Sequence, residues 1–425
     1  LIKRKLKNGI KSALRKVRAF LPTETGAFDQ AVALAQICDC TLEDLKVPQQ
    51  NFDRVNPDAD ARVCNWYLPY FDNAFYGGIM TILRFANYLS SEENVKQRFL
   101  ICSDGDREFI AKQIAKAFPG LADSEVIMLD SLEALNNIPP SDYSIATLWT
   151  TAYILLKVNN TGLKFYFIQD YEPLFYAAGS TYAQAELPYW FGFYGIANTV
   201  SLKNIYEQKY GGKAQYLTPC VDRAVFHPGS VPRDQKKKKI FLYARPNAPR
   251  NGFEITMTTV KLLKNMYQDK IEIVCAGGKW NPSDYGLGGV VENLGLLSYQ
   301  ETGDLYRSCH IGFVMMMTRH PSYLPFEFMA SGTLVVTNYN PANLWFLKDG
   351  ENCLLSPASA SSLCETLSFA IDNYDDLQGI RDHALRSIDE NHSSWDTELK
   401  KIAEFLKAPG EPNENLNFYS MKHSA

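Results

Sequence analysis

A chain of 425 residues, 46% hydrophobic and 21% charged, is long enough for two domains with separate cores. Forty-three basic residues against 47 acidic ones leave a net charge of −4, which excludes a general attraction to nucleic acid. No apolar run approaches the roughly 20 residues that span a bilayer, and the nine cysteines show no zinc spacing, so they read as buried thiols of a reduced, cytoplasmic protein.

The chain begins at Leu1, as expected of a segment cut from a longer protein. Its first stretch, LIKRKLKNGIKSALRKVRAFLP, places Leu6, Ile10, Ala13, Leu14, Val17 and Leu21 on one helical face. Eight lysines and arginines and no acid cover the rest, and Pro22 ends the pattern. Such a helix can lie on an anionic membrane, so residues 1–21 are a candidate peripheral contact with the inner face of the membrane. The alternative is a helix packed on the protein body. Residues 24–61 read as a mixed connector.

An alternation of strands and helices then begins, as in βαβ units with a parallel sheet. The expected strands are 62–68, 97–103, 125–129, 144–149, 163–169 and 191–197. Helices are expected after the Gly-Gly turn through Leu89, after the second strand, and at 202–210. The pattern breaks at TPCVDRAVFHPGSVPRDQKKKK, where prolines and four consecutive lysines mark a linker or exposed loop. Lys236–Lys239 reads as a solvated edge more readily than as a phosphate site, since nothing glycine-rich accompanies it. A second alternation follows, with strands at 240–244, 271–276, 294–297, 311–316 and 334–337 and helices at 252–267, 300–308 and 325–330. From Ser361 the chain is helical, and after Pro409 its composition is that of a disordered tail.

The expected architecture is therefore α/β, with two Rossmann-like domains facing a central cleft after an N-terminal helical extension. The domains are residues 62–225 and 226–395, with a closing helix and tail over 396–425. Ligands in such sheets bind at the carboxyl ends of the strands. There is no Walker sequence, no complete G-x-G-x-x-G and no nucleophile elbow, which argues against a P-loop NTPase, a standard NAD enzyme and an α/β-hydrolase. Ala276-Gly277-Gly278 reads equally as a plain turn.

The chemistry concentrates in two segments. YARPNAPRNG puts Arg245 at a strand end and Arg250 just before a helix, where forked guanidinium groups suit a diphosphate leaving group. TRHPSYLPFEFMASG carries a polar loop into a helix started by Pro325, with Glu327 in its first turn. Glu327 could accept hydrogen bonds from a ribose diol, or simply complement the helix dipole. In the first half, Gly77 and Gly78 let backbone approach a ligand because no Cβ intervenes. Gln169, Asp170 and Glu172 follow another strand. A carboxylate there could position or deprotonate an acceptor hydroxyl, or shape its own loop. Asp104 and Asp106 form D-G-D but read as a turn.

These residues carry a resemblance. PCVDRAVFHP resembles the N-G-V-D-x-x-x-F-x-P junction of retaining GT-B glycosyltransferases. YARPNAPRNG is similar to their G-R-x-x-x-x-K-G segment, with Arg250 in place of the lysine. FEFMASGTLVVTN is similar to E-A-M-A-x-G-x-P-V-V, which puts Glu327 on the second glutamate of their E-x₇-E motif. The first glutamate is replaced by Arg319, and HPSYLP stands where G-F-G-L-P is usual. YARP…PRNG, HPSY and YFIQDYEP together resemble the bacterial WsaF-type rhamnosyltransferases.

The resemblance implies transfer of L-rhamnose from dTDP-L-rhamnose, a substrate rather than a cofactor, onto a glycan or lipid-linked glycan acceptor, without a metal. It gives Gly77, Gly78, Arg245, Arg250, Ser322, Tyr323 and Glu327 to the donor, with Asp170, Glu172 and His320 as catalytic candidates; His320 could instead contact the donor sugar or phosphate. The alternative is a non-catalytic GT-B module that binds glycan or scaffolds a larger assembly protein.

Overall fold

The computed structural model describes residues 24–54, 61–230, 233 and 236–412. The basic segment of residues 1–21 lies outside them, as does the tail from residue 413. Two helices, α1 (Glu24–Ile37) and α2 (Leu42–Lys46), occupy what the sequence suggested as a mixed connector. α2 is fixed locally by a capping box, in which Thr41 and Asp44 exchange bonds between side chain and backbone. The connector is then sewn to the sheet below by Gln50, whose side chain donates to Lys164 O at 3.1 Å and Gly192 O at 3.0 Å. The buried Lys164 ammonium donates to Gln49 Oε1 at 2.7 Å, and burial pushes its pKa down to about 7.

The first alternation runs β1 (Arg62–Leu68), α3 (Gly77–Ser91), β2 (Val95–Ile101), α4 (Arg107–Ala117), β3 (Glu125–Met128), α5 (Leu132–Asn136), β4 (Ser141–Ala146), α6 (Trp149–Leu156) and β5 (Thr161–Ile168). It closes with α7 (Ser180–Glu186), β6 (Tyr194–Ala197), α8 (Val200–Tyr210) and β7 (Ala214–Tyr216). All its strand pairs are parallel, in the order β3-β2-β1-β4-β5-β6-β7. β4 and β5 are buried at every residue, as expected of strands covered by helices on both faces.

The second alternation runs β8 (Lys238–Tyr243), α9 (Phe253–Tyr267), β9 (Ile271–Ala276), β10 (Glu292–Asn293), α10 (Tyr299–Ser308), β11 (Ile311–Val314), α11 (Leu324–Ala330), β12 (Leu334–Asn338) and β13 (Leu354–Ser356). Its sheet is again parallel, in the order β10-β9-β8-β11-β12-β13. The helices α12 (Ala360–Asp372), α13 (Gln378–Asn391) and α14 (Trp395–Lys407) complete the chain.

Several boundaries depart from the sequence reading. The third strand of the second sheet was expected at 294–297, but pairing stops at Asn293, because its side chain turns back to donate to Trp280 O and Gly278 O at 2.6 and 3.1 Å. Trp149 starts a helix rather than ending a strand. Gly77 and Gly78 are the first turn of α3, not a turn before it.

The described residues fall into two compact units, one reaching Leu217 and resuming at Asp396, the other Thr218–Trp395. The junction lies ahead of PCVDRAVFHP, between Leu217 and Thr218, rather than inside it at 225/226, because Val221, Val225 and Phe226 are buried in the second unit's core with Tyr306 and Phe328. The helix expected to stand apart after residue 396 packs on the first unit. There Phe405 lies edge-on to Phe165 and Tyr194 at 6.1 and 6.0 Å, and Lys407 pairs with Glu93 at 2.7 Å. Tyr194 Oη also donates to Gly410 O at 2.5 Å, so the stretch just past Pro409 is held.

Candidate donor site in the second unit

In each sheet the chain builds outward from one central strand, then returns to the other side of it. The reversal falls between β1 and β4 in the first unit and between β8 and β11 in the second. Neighbouring loops diverge at such a point and leave a crevice at the strands' carboxyl ends.

The second unit places Arg245 and Arg250 after β8, and His320, Ser322, Tyr323 and Glu327 after β11, so the two segments singled out in the sequence flank one reversal. Backbone bonds tie them together. Met317 N donates to Arg250 O at 2.8 Å, and Asn251 Nδ2 reaches Met315 O at 3.4 Å. Gly252, at φ +58°, has no room for a side chain there, since a Cβ would lie 2.9 Å from the Met317 methyl. Arg245 extends past Tyr243, whose hydroxyl accepts at 3.4 Å, and Trp280 Nε1 fixes the preceding Ala244 carbonyl at 3.1 Å.

Two asparagines that sequence reasoning missed hold the β11 loop. Asn338 Oδ1 accepts from Met316 N at 2.8 Å while its Nδ2 donates to Met316 O at 3.1 Å. Asn340 Nδ2 donates to Thr318 O at 2.6 Å and Met316 O at 3.2 Å. The signal was present only as two amides at the end of β12, and loop asparagines are too common for that to be read in advance.

Beyond Thr318 the loop is unusual. Ser322 has φ +67°, a left-handed conformation that costs a non-glycine residue about 1 kcal/mol. It occupies the position of the second glycine in G-F-G-L-P. Ser322 N donates to His320 Nδ1 at 2.9 Å. His320 is 6% exposed, and its Nε2 is buried without a partner. Burial pushes the imidazole pKa down to about 3, so the ring is neutral. Tyr323 stacks obliquely between His320, at 5.8 Å, and Trp395, at 6.2 Å.

Glu327 lies in the first turn of α11, and burial pushes its carboxyl up to about 8. No described residue donates a hydrogen bond to that carboxyl. α11 has only seven residues, so its dipole is small. Arg319, at the position of the first E-x₇-E glutamate, is exposed.

In the first unit the expected catalytic carboxylates are placed differently. Glu172 is 3% exposed, and its carboxylate accepts from Trp149 N at 2.7 Å and from the Tyr166 hydroxyl. It caps α6, and burial pushes its pKa up to about 8. Glu172 is thus buried, with two of its hydrogen bonds made to α6 and β5. Asp170 is also buried, with Oδ1 accepting from Tyr171 N at 2.7 Å. Gln169 packs over Gly78, where an added Cβ would stand 3.0 Å from its Oε1, an atom that is buried without a partner. Gly77 and Gly78 are exposed at the start of α3, which has no side-chain cap.

The remaining motifs are structural. Asp106 caps α4 through Phe109 N at 3.1 Å. Lys239 pairs with Glu272 at 3.2 Å at the start of β8, the sheet end opposite the arginines. Gly277 is a left-handed turn at φ +101° whose amide donates to Gly295 O at 2.8 Å. All nine cysteines are free thiols.

Two parallel-sheet α/β units, each with its reversal beside the first strand, define the GT-B fold of glycosyltransferases. Solved structures agree. Anabaena HepE in complex with UDP and glucose superposes with a TM-score of 0.64 at 14% identity, over 82% of this chain and 100% of that one. Sucrose-phosphate synthase from Thermosynechococcus elongatus gives 0.63 at 11% identity, over 81% and 98%. The sequence narrows the class further. Residues 65–198 match the WsaF N-terminal domain and residues 238–368 the WsaF C-terminal domain, and the chain belongs to the WsaF family. It is also 39% identical over 350 residues to the O-antigen biosynthesis protein RfbC of Myxococcus xanthus, over 81% of this chain and 27% of the relative. The chain thus spans about a quarter of that relative's length.

Proposed function

We propose that this chain is a hexosyltransferase that moves L-rhamnose from dTDP-L-rhamnose onto a bacterial cell-surface glycan of the O-antigen kind. One observation carries the reading: Arg245, Arg250 and Glu327 flank the β8–β11 reversal in a chain of the WsaF family. The relative's name supplies the glycan class, and the resemblance of YARP…PRNG, HPSY and YFIQDYEP supplies the sugar.

In this reading the two guanidinium groups hold the diphosphate. As the anomeric C–O bond to phosphate breaks, charge gathers on the leaving oxygen, and fixed cations stabilise it more in the transition state than in the ground state. The acceptor hydroxyl oxygen forms the new bond to the anomeric carbon, and its proton passes to the departing diphosphate or to solvent. Glu327 accepts a hydrogen bond from the sugar of the nucleotide, which in dTDP is the 3′-hydroxyl alone. Ser322 and Tyr323 shape the sugar end of the site. Gly77 and Gly78 offer bare backbone to donor or acceptor oxygens, and Asp170 orients the acceptor. The arginines take the place of a metal. The acceptor is a glycan, free or lipid-linked, met at the cytoplasmic face of the membrane through the basic segment of residues 1–21. No described helix is long and apolar enough to cross a membrane.

The test is a donor screen with dTDP-L-rhamnose, UDP-glucose and GDP-mannose, with and without EDTA, the products followed by NMR. Transfer or hydrolysis of dTDP-L-rhamnose in EDTA is expected. Turnover of UDP- or GDP-sugars only would sink the rhamnose assignment, and loss of activity in chelator restored by Mn²⁺ would sink metal independence. Arg319 favours a second reading, a glycan-binding module without turnover, since a cation replaces a carboxylate that the related enzymes have. Thermal stabilisation by none of dTDP, UDP and GDP would support that reading.

A further inference from the structure

His320 has a geometry that neither acid–base chemistry nor core packing accounts for. A histidine acting as base or acid must exchange a proton, and here one ring nitrogen is occupied by a fixed donor. The Ser322 amide points at Nδ1 from 2.9 Å, and Ser322 itself adopts φ +67°. Since an amide N–H can only donate, Nδ1 is the accepting nitrogen and the ring proton sits on Nε2. Nε2 is buried without a protein partner in a side chain 6% exposed. A buried donor left unpaired is destabilising. Left-handed backbone at a serine adds strain. The ring is also held in place by the Tyr323 ring at 5.8 Å, itself set against Trp395. Two unfavourable terms and a ring stack converge on aiming a single N–H.

We infer that His320 is a locked, neutral hydrogen-bond donor whose Nε2–H binds a phosphoryl oxygen of the donor nucleotide, with the left-handed Ser322 amide as the lock. The inference rests on the donor-site reading above and deepens it. Phosphate is favoured because the His320 loop starts at Met317, whose amide is bonded to the Arg250 carbonyl, so the loop and the cationic segment are one framework. His320 is then a binding residue that fixes the diphosphate, and it moves no proton during transfer.

Two measurements on the whole chain test this. The first is ¹⁵N NMR of histidine-labelled protein, with His320 assigned by the His320→Gln variant. The expected spectrum at neutral pH is the neutral Nε2–H tautomer, with its Nε2–H resonance shifted when dTDP is added. An Nδ1–H tautomer, an imidazolium, or an Nε2–H signal unmoved by bound dTDP would overturn the inference. The second is calorimetric binding of dTDP to wild type, His320→Leu and His320→Gln. His320→Leu should bind about 10- to 100-fold more weakly. His320→Gln, whose amide can place an N–H near the Nε2 position, should recover most of that loss. Equal binding by wild type and His320→Leu would remove this role for His320 while leaving the donor site standing. A wild-type protein that binds no dTDP, UDP or GDP would instead remove the donor site itself. If His320→Leu does not fold, the glutamine variant and the wild-type spectrum still decide the matter.

Discussion

The loop after β5 and the loop after β11 look alike by one measure and opposite by another. Each follows a parallel strand's carboxyl end, and each carries a glutamate that burial pushes up to about 8. Glu172 in the first loop already accepts on one carboxyl oxygen from both Trp149 N and the Tyr166 hydroxyl. Glu327 in the second has no hydrogen-bonded partner among the described residues, and it shares its loop with a strained serine and an unpaired histidine nitrogen. A shifted pKa therefore does not separate chemistry from architecture by itself. What separates them is whether the perturbed group's hydrogen bonds are already made.

The contrast can be broken most sharply at Arg250. Arg250→Ala should lower kcat/KM for the donor by roughly 100- to 1000-fold while leaving the melting temperature nearly unchanged. Unchanged donor turnover would mean that the β8–β11 loops are not the donor site. Glu172→Ala should do the reverse: urea unfolding should show a loss of about 3 kcal/mol, because a buried amide and a buried hydroxyl lose their acceptor. A loss under about 0.5 kcal/mol would deny Glu172 its structural role.

The pH dependence of that same carboxyl sharpens the comparison. A carboxyl raised from 4.5 to about 8 on folding keeps its proton in the native state after the unfolded chain has released it. Its contribution to stability is thus full below pH 4.5 and is lost as pH rises towards 8. Glu172→Gln has no proton to lose, so its stability relative to wild type should rise by about 4 kcal/mol from pH 5 to pH 9. A constant difference across that range would contradict the burial argument. The smallest effect is expected at Glu327→Ala, with donor affinity about tenfold weaker by calorimetry and a stability change in the absence of nucleotide below about 1 kcal/mol. A stability loss as large as that of Glu172→Ala would make the two loops equivalent after all.

Much of the fold was legible from pattern. β1 was read to the residue as Arg62–Leu68 and β9 as Ile271–Ala276, because apolar runs bounded by turn residues leave little freedom. β7 and β13 were not seen, since three-residue strands carry no period and exist only by pairing with β6 and β12. Motif and strand-end position were enough to single out Arg245, Arg250 and Glu327, which flank the β8–β11 reversal. Asn338, Asn340 and the lock on His320 were not singled out, since each acts through a hydrogen bond to backbone distant or oddly folded in sequence.

By itself the sequence determined two α/β alternations and the two segments that carry chemistry, because periodicity and strand-end position are local properties. Tertiary structure alone decided which carboxylate was left open, since that depends on Trp149 and Tyr166 reaching Glu172 across the sheet. It also decided that Ser322 takes a glycine's conformation, because only the assembled loop can repay the strain of a left-handed serine.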